Sequence, residues 1–70
     1  MNEEERQRFL YLRELCEESW QYDEKARKRD ERFLDMVVRL DPKYRDAAIE
    51  QLIRVKEYAK KQREEKVQGE

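Results

Sequence analysis

Read for polarity alone, the chain carries three apolar stripes separated by charge. In the first, Phe9, Leu12, Cys16 and Trp20 are spaced three, four and four residues apart, with Leu15 and Ser19 beside them. In the second, Phe33, Met36, Val37 and Leu40 share a face flanked by Leu34 and Val38. In the third, Tyr44, Ala48, Leu52, Val55 and Ala59 recur at four, four, three and four. Ile49 and Ile53 widen that stripe on one side and Tyr58 on the other. Spacings near 3.6 residues belong to amphipathic helices.

Punctuation is sparse. Asn2 to Leu40 contains no Gly or Pro; the only Pro is Pro42 and the only Gly is Gly69. Asp41 suits an N-cap, because its carboxylate can accept from the free N–H groups of the next turn. Pro42 then takes the first helical position, where its missing N–H costs nothing, and it ends the preceding helix near Leu40. The spacing predicts a turn at 40–42 and a helix over about 42–65, with cations at Lys60, Lys61, Arg63 and Lys66 to complement its dipole. Residues 66–70 are expected to fray. Glu3 to Glu5 suit the start of a first helix.

The segment between the first two stripes decides the architecture. Nine of the twelve residues from Gln21 to Arg32 are charged. As a solvated helix the segment is supported by the i,i+4 pairs Asp23–Arg27, Glu24–Lys28 and Arg27–Glu31, each contributing roughly 0.2–0.5 kcal/mol. One long helix, straight or kinked, then spans about 3–40. No Gly supplies a left-handed cap near residues 21–25, which favours this continuous reading. In the alternative the chain turns there, with Ser19 or Asp23 as a cap, and forms a three-helix bundle.

The fold class expected is therefore all-α. The chain forms one domain over residues 1–70, an antiparallel helical hairpin with Leu40 near Tyr44, Val37 near Ala48 and Phe33 near Leu52. A first helix of that length extends roughly 57 Å against roughly 36 Å for the last. Phe9, Leu12, Leu15 and Cys16 would then project past the hairpin, and an exposed stripe of that size marks an interface. The long helix thus implies a homodimer with four helices at its core. The three-helix alternative implies a compact monomer.

Composition narrows the chemistry. Half of the 70 residues are charged, yet the net charge is −1. A chain this short buries little core and leans on helix packing, self-association or a partner. Cys16 is the only cysteine and no His is present, so neither an internal disulfide nor a zinc site is expected. With one Ser and no Thr, a Ser/His/Asp site cannot be built, and no Gly-rich phosphate loop occurs. An enzyme is not expected, nor a cofactor or small-molecule substrate. Cys16 reads as a small packing residue. Glu14, Glu17 and Glu18 cluster beside Arg13 and read as solvated rather than metal-binding.

No apolar run is long enough to cross a bilayer. The acidic start is the opposite of a secretory signal, and an unpaired thiol fits a reducing, cytoplasmic compartment. Glu14, Glu17 and Glu18 on the polar face of residues 6–20 would be repelled by anionic membranes.

Charge is uneven: residues 1–24 hold a net −5 and residues 25–70 a net +4. Ends of opposite sign favour folding back or antiparallel self-pairing. Lys25, Arg27, Lys28, Arg29 and Arg32 form the best basic cluster and could contact phosphates. Asp23, Glu24, Asp30 and Glu31 are interleaved with them, which weakens the nucleic-acid reading. Trp20 and Tyr11 are the better interface aromatics, since Trp, Tyr and Arg dominate binding hot spots.

The expected function is a small non-enzymatic protein–protein interaction module, an adaptor or inhibitor acting through a helical surface. Phe9, Tyr11, Leu12, Leu15, Cys16 and Trp20 form its interface, with surrounding Arg and Glu setting register. Leu12→Asp should then abolish dimerisation or binding and leave helix content largely intact. The size and composition resemble those of small bacterial or phage regulatory proteins, a likeness that transfers no residue. A nucleic-acid accessory protein using residues 25–32 is the second reading. A purely structural bundle, natural or designed, is the third.

Overall fold

The computed structural model describes residues 1–68, with side chains described up to residue 65. The described chain is all-helical, with α1 at Glu3–Ser19, α2 at Ala26–Arg39 and α3 at Pro42–Gln68. α1 opens on Asn2, whose extended backbone lets Oδ1 accept the Glu5 N–H at 2.8 Å. Glu3, Glu4 and Glu5 fill its first turn, where negative charge meets the unsatisfied N–H groups. α3 opens on Asp41, whose Oδ1 accepts the Lys43 N–H at 3.0 Å. Leu40 is extended and ends α2.

The continuous helix over 3–40 does not form. α1 stops at Ser19, and residues 20–25 make successive turns before α2 begins. The Trp20 N–H reaches the carbonyls of Cys16 and Glu17, and the Tyr22 and Asp23 N–H groups share the Ser19 carbonyl. No residue among those described takes a positive φ, so the bend needs no glycine. Within the turn Asp23 Oδ1 accepts the Lys25 N–H at 3.1 Å, and α2 then begins at Ala26 with no side-chain cap on its N-cap residue Lys25. Local propensity permits one long helix, but burial outweighs it. A break lets the first stripe fold onto the other two, and buried apolar side chains contribute roughly 1.5–3 kcal/mol each. That exceeds the few tenths of a kcal/mol from each exposed i,i+4 pair.

Ion pairs give the directions. Glu5 meets Arg45, Arg8 meets Asp46 and Glu18 meets Lys60, so α1 and α3 run parallel. Asp30 meets Lys56 across the 40–41 turn, so α2 runs antiparallel to α3. The core is Leu12, Cys16, Val37 and Ile49, with Phe9, Trp20, Leu34, Leu52 and Ile53 packed against it.

The buried line of α3 is rotated from the expected stripe. Ile49 is fully buried, whereas Tyr44 is 60% exposed and Val55 53%. A hairpin would centre the buried face on α2 alone. Here α3 serves two neighbours, and its deepest residues lie between them. The helix extends to Gln68, three residues past the end expected near 65. The expectation for residues 69–70 lies outside the described residues.

Candidate interaction surfaces

The most constrained polar group is Asp30. Its carboxylate is 1% exposed, and it accepts the Trp20 indole N–H at 3.0 Å. Lys56 Nζ donates to both carboxylate oxygens, at 3.0 and 2.9 Å. This ties the end of α1, the middle of α2 and α3 to one charge. Buried ions persist only when paired and hydrogen-bonded. A second such tie, Glu5 with Arg45, closes the opposite end of the α1–α3 interface. No buried side-chain nitrogen or oxygen lacks a partner among the described residues.

Asp30 corrects the reading of residues 21–32 as a wholly solvated face. Ala26 and Asp30 point into the bundle, while the charges around them face water. The basic cluster is also divided. Arg27 lies over the Trp20 ring at 5.7 Å and pairs with Glu31. Lys28 and Arg32 share a shallow depression with Glu31 and Asp35, and Arg29 lies 3.7 Å from Asp30. The cluster is thus spread around α2, with carboxylates beside both Arg27 and Arg29.

The six residues expected at a protein interface separate into three groups. Leu12, Leu15 and Cys16 are buried within the chain, so they are core and not surface. The missing partner of the first stripe is the chain itself, which removes the reason for expecting a dimer there. Leu12→Asp would place a charge at a site 1% exposed and would unfold the protein rather than test an interface. Tyr11 is exposed on the α3 side, where its hydroxyl donates to Glu57 at 2.7 Å and its pKa is raised by that bond. Phe9 and Trp20 are half-buried and remain accessible.

Burial raises the Cys16 thiol above its ordinary value, as suits an inert packing residue. Among the described residues no group of three His, Cys, Asp or Glu side chains is arranged to hold a metal, and no helix is long and apolar enough to cross a membrane.

Phe9 and Trp20 open onto a groove of about 320 Å³ between α1 and α2. Leu34 and Val38 complete its apolar floor, and Arg13, Glu17, Arg27 and Glu31 form its rim. Glu17 and Glu31 are held by rim arginines, at 3.1 Å for Arg13–Glu17 and 3.0 Å for Arg27–Glu31, while Asp35, also at the rim, pairs with Arg39 outside it. Sequence reasoning missed Leu34 and Val38 as site residues. Their signal was present: both flank the second stripe on one side, the side a third helix would leave partly open.

These observations define the class: an all-α bundle of three helices with an apolar groove between α1 and α2. Comparison with known protein families, curated proteins and solved structures finds no match for the chain.

Proposed function

We propose that this chain is a small non-enzymatic protein–protein interaction module, an adaptor or inhibitor that binds another protein through a helical surface. The observation that supports it is the α1–α2 groove. Two antiparallel helices with an apolar trough between them form a seat for the apolar face of another helix. Phe9, Trp20, Leu34 and Val38 supply the contact area. Aromatic residues in such positions carry a large share of binding energy. The rim holds both signs of charge, which selects a partner helix with alternating charges and fixes its register. A second copy of the chain is the competing occupant.

Val38 is 48% exposed, so Val38→Asp should preserve the fold while placing a charge on the groove floor. Trp20 is the only tryptophan, and its emission reports on the same floor. Wild type and Val38→Asp would be used in parallel to purify partners from the source cells, and the captured protein titrated against both. The expected result is a partner that shifts Trp20 emission in wild type and binds Val38→Asp at least roughly tenfold more weakly. A partner indifferent to Val38→Asp, or none at all, removes the reading.

A further inference from the structure

The bend between α1 and α2 is close to helix at both ends. Trp20 has φ −66° and ψ −20°, and Lys25 has φ −68° and ψ −28°, against about −63° and −42° in a regular helix. No residue between them takes a positive φ. The N–H groups of Gln21, Tyr22, Ala26 and Arg27 reach back three residues instead of four, a tighter and poorer geometry. Gln21 to Lys25 are all exposed, and straightening them meets neither Gly nor Pro.

What holds this bend is side-chain contact. Arg63 lies over the Tyr22 ring at 5.1 Å, the Trp20 indole donates to Asp30, and Asp23 accepts the Lys25 N–H. The turn between α2 and α3 is of the opposite kind. Leu40 is extended, at φ −65° and ψ 151°. Pro42 cannot continue α2, because its ring would strike the Val38 carbonyl. One turn of the bundle can open into helix and the other cannot.

We infer that residues 20–25 are a hinge through which two copies of the chain exchange α1. Straightened, residues 3–39 make one helix of roughly 55 Å. Within the bundle α1 runs antiparallel to α2. Two straightened helices that cross antiparallel near residues 22–23 therefore seat each α1 on the α2 and α3 of the other copy. The structure fixes the occupant, because the surface that α1 vacates is complementary to α1. Phe9, Leu12 and Cys16 return to Val37 and Ile49 of the other copy, and Glu5–Arg45, Arg8–Asp46 and Glu18–Lys60 reform between chains. The α1–α2 groove is rebuilt too, with Phe9 from one chain and Leu34 and Val38 from the other. Bundle contacts thus cancel between the two forms. Their balance is set by concentration and by the hinge, where a helix adds the pairs Asp23–Arg27 and Glu24–Lys28. Exchange requires α1 to leave the core, so a folded monomer keeps its mass on concentration and the dimer forms during folding.

The full chain is unfolded in urea and refolded by slow dialysis at micromolar and at millimolar concentration, and the mass is read by light scattering behind a sizing column. In a second chain, Arg8→Cys with Asp46→Cys, both at exposed positions, the two thiols are joined by a short bismaleimide, while buried Cys16 stays unreacted. A denaturing gel then shows whether the bridge lies within one chain or between two. The expected result is monomer from dilute refolding, and from concentrated refolding a dimer bridged between chains. Tyr22→Ala with Asp23→Ala supplies better helix formers and removes two contacts that hold the bend. With two hinges per dimer, it should raise the dimerisation constant at least roughly tenfold. Tyr22→Gly with Glu24→Gly should lower it at least roughly a hundredfold, with the circular dichroism of the monomer unchanged. Monomer alone at both concentrations, in wild type and in the alanine variant, overturns the inference. So does a dimer bridged only within chains, which is two intact bundles docked, or a dimer yield indifferent to the glycines.

Discussion

Asp30 keeps 1% of its surface in water, and three helices depend on the charge it holds. Removing one partner of a buried pair typically costs about 3–5 kcal/mol, because the other ion stays buried and unmatched. A core this small rarely supplies more than about 3–5 kcal/mol in total. Asp30→Ala is therefore expected to abolish the cooperative urea transition at neutral pH, followed by circular dichroism. Asp30→Leu combined with Lys56→Met removes both ions and should restore a cooperative transition, since apolar replacement of a whole pair is often neutral or better. If Asp30→Ala unfolds within 1 kcal/mol of wild type, roughly the worth of an exposed pair, the charge is not structural.

Among the elements, α3 was the most legible. Asp41 and Pro42 announce its start through local chemistry alone. The Asp41 cap contributes about 1 kcal/mol, so Asp41→Ala should lower the unfolding free energy by about that amount and Asp41→Asn by much less. Equal losses for the two variants would show that Oδ1 is not the acceptor that counts. The break at residues 20–25 was legible only as an alternative to the continuous helix, because nothing local demands it. Glycine and proline are absent there, and the turn is imposed by where Trp20 and the first stripe must go to be buried. The same cause hid the site. Phe9 and Trp20 could be singled out by spacing, but Leu12 and Cys16 occupy the same stripe one or two turns away and are core. Only the three-dimensional arrangement separates the faces of one helix into an inside and an edge. Asp30 was hidden for a different reason. In a run of nine charges, sequence gives no sign of which one will meet Lys56, twenty-six residues on.

At the scale of the whole molecule, Leu12, Leu15 and Cys16 of the first stripe are buried within one chain, which leaves self-association without the surface first expected for it. The molar mass by light scattering is expected near 8.8 kDa across a range of concentrations in moderate salt. A stable mass of twice that would show a dimer, with the accessible α1–α2 groove as the first surface to examine for its interface. The parallel course of α1 and α3 has a mechanical consequence as well. Residue 3 and residue 68 lie at opposite poles of a body 43 Å long. Tension applied at those poles pulls α1 and α3 past each other lengthwise instead of peeling them apart, so that Glu5–Arg45, Arg8–Asp46 and Glu18–Lys60 are loaded together. Pulled from its two poles, the bundle would therefore resist stretching through the whole α1–α3 interface, with the buried Glu5–Arg45 pair carrying more than the two exposed ones.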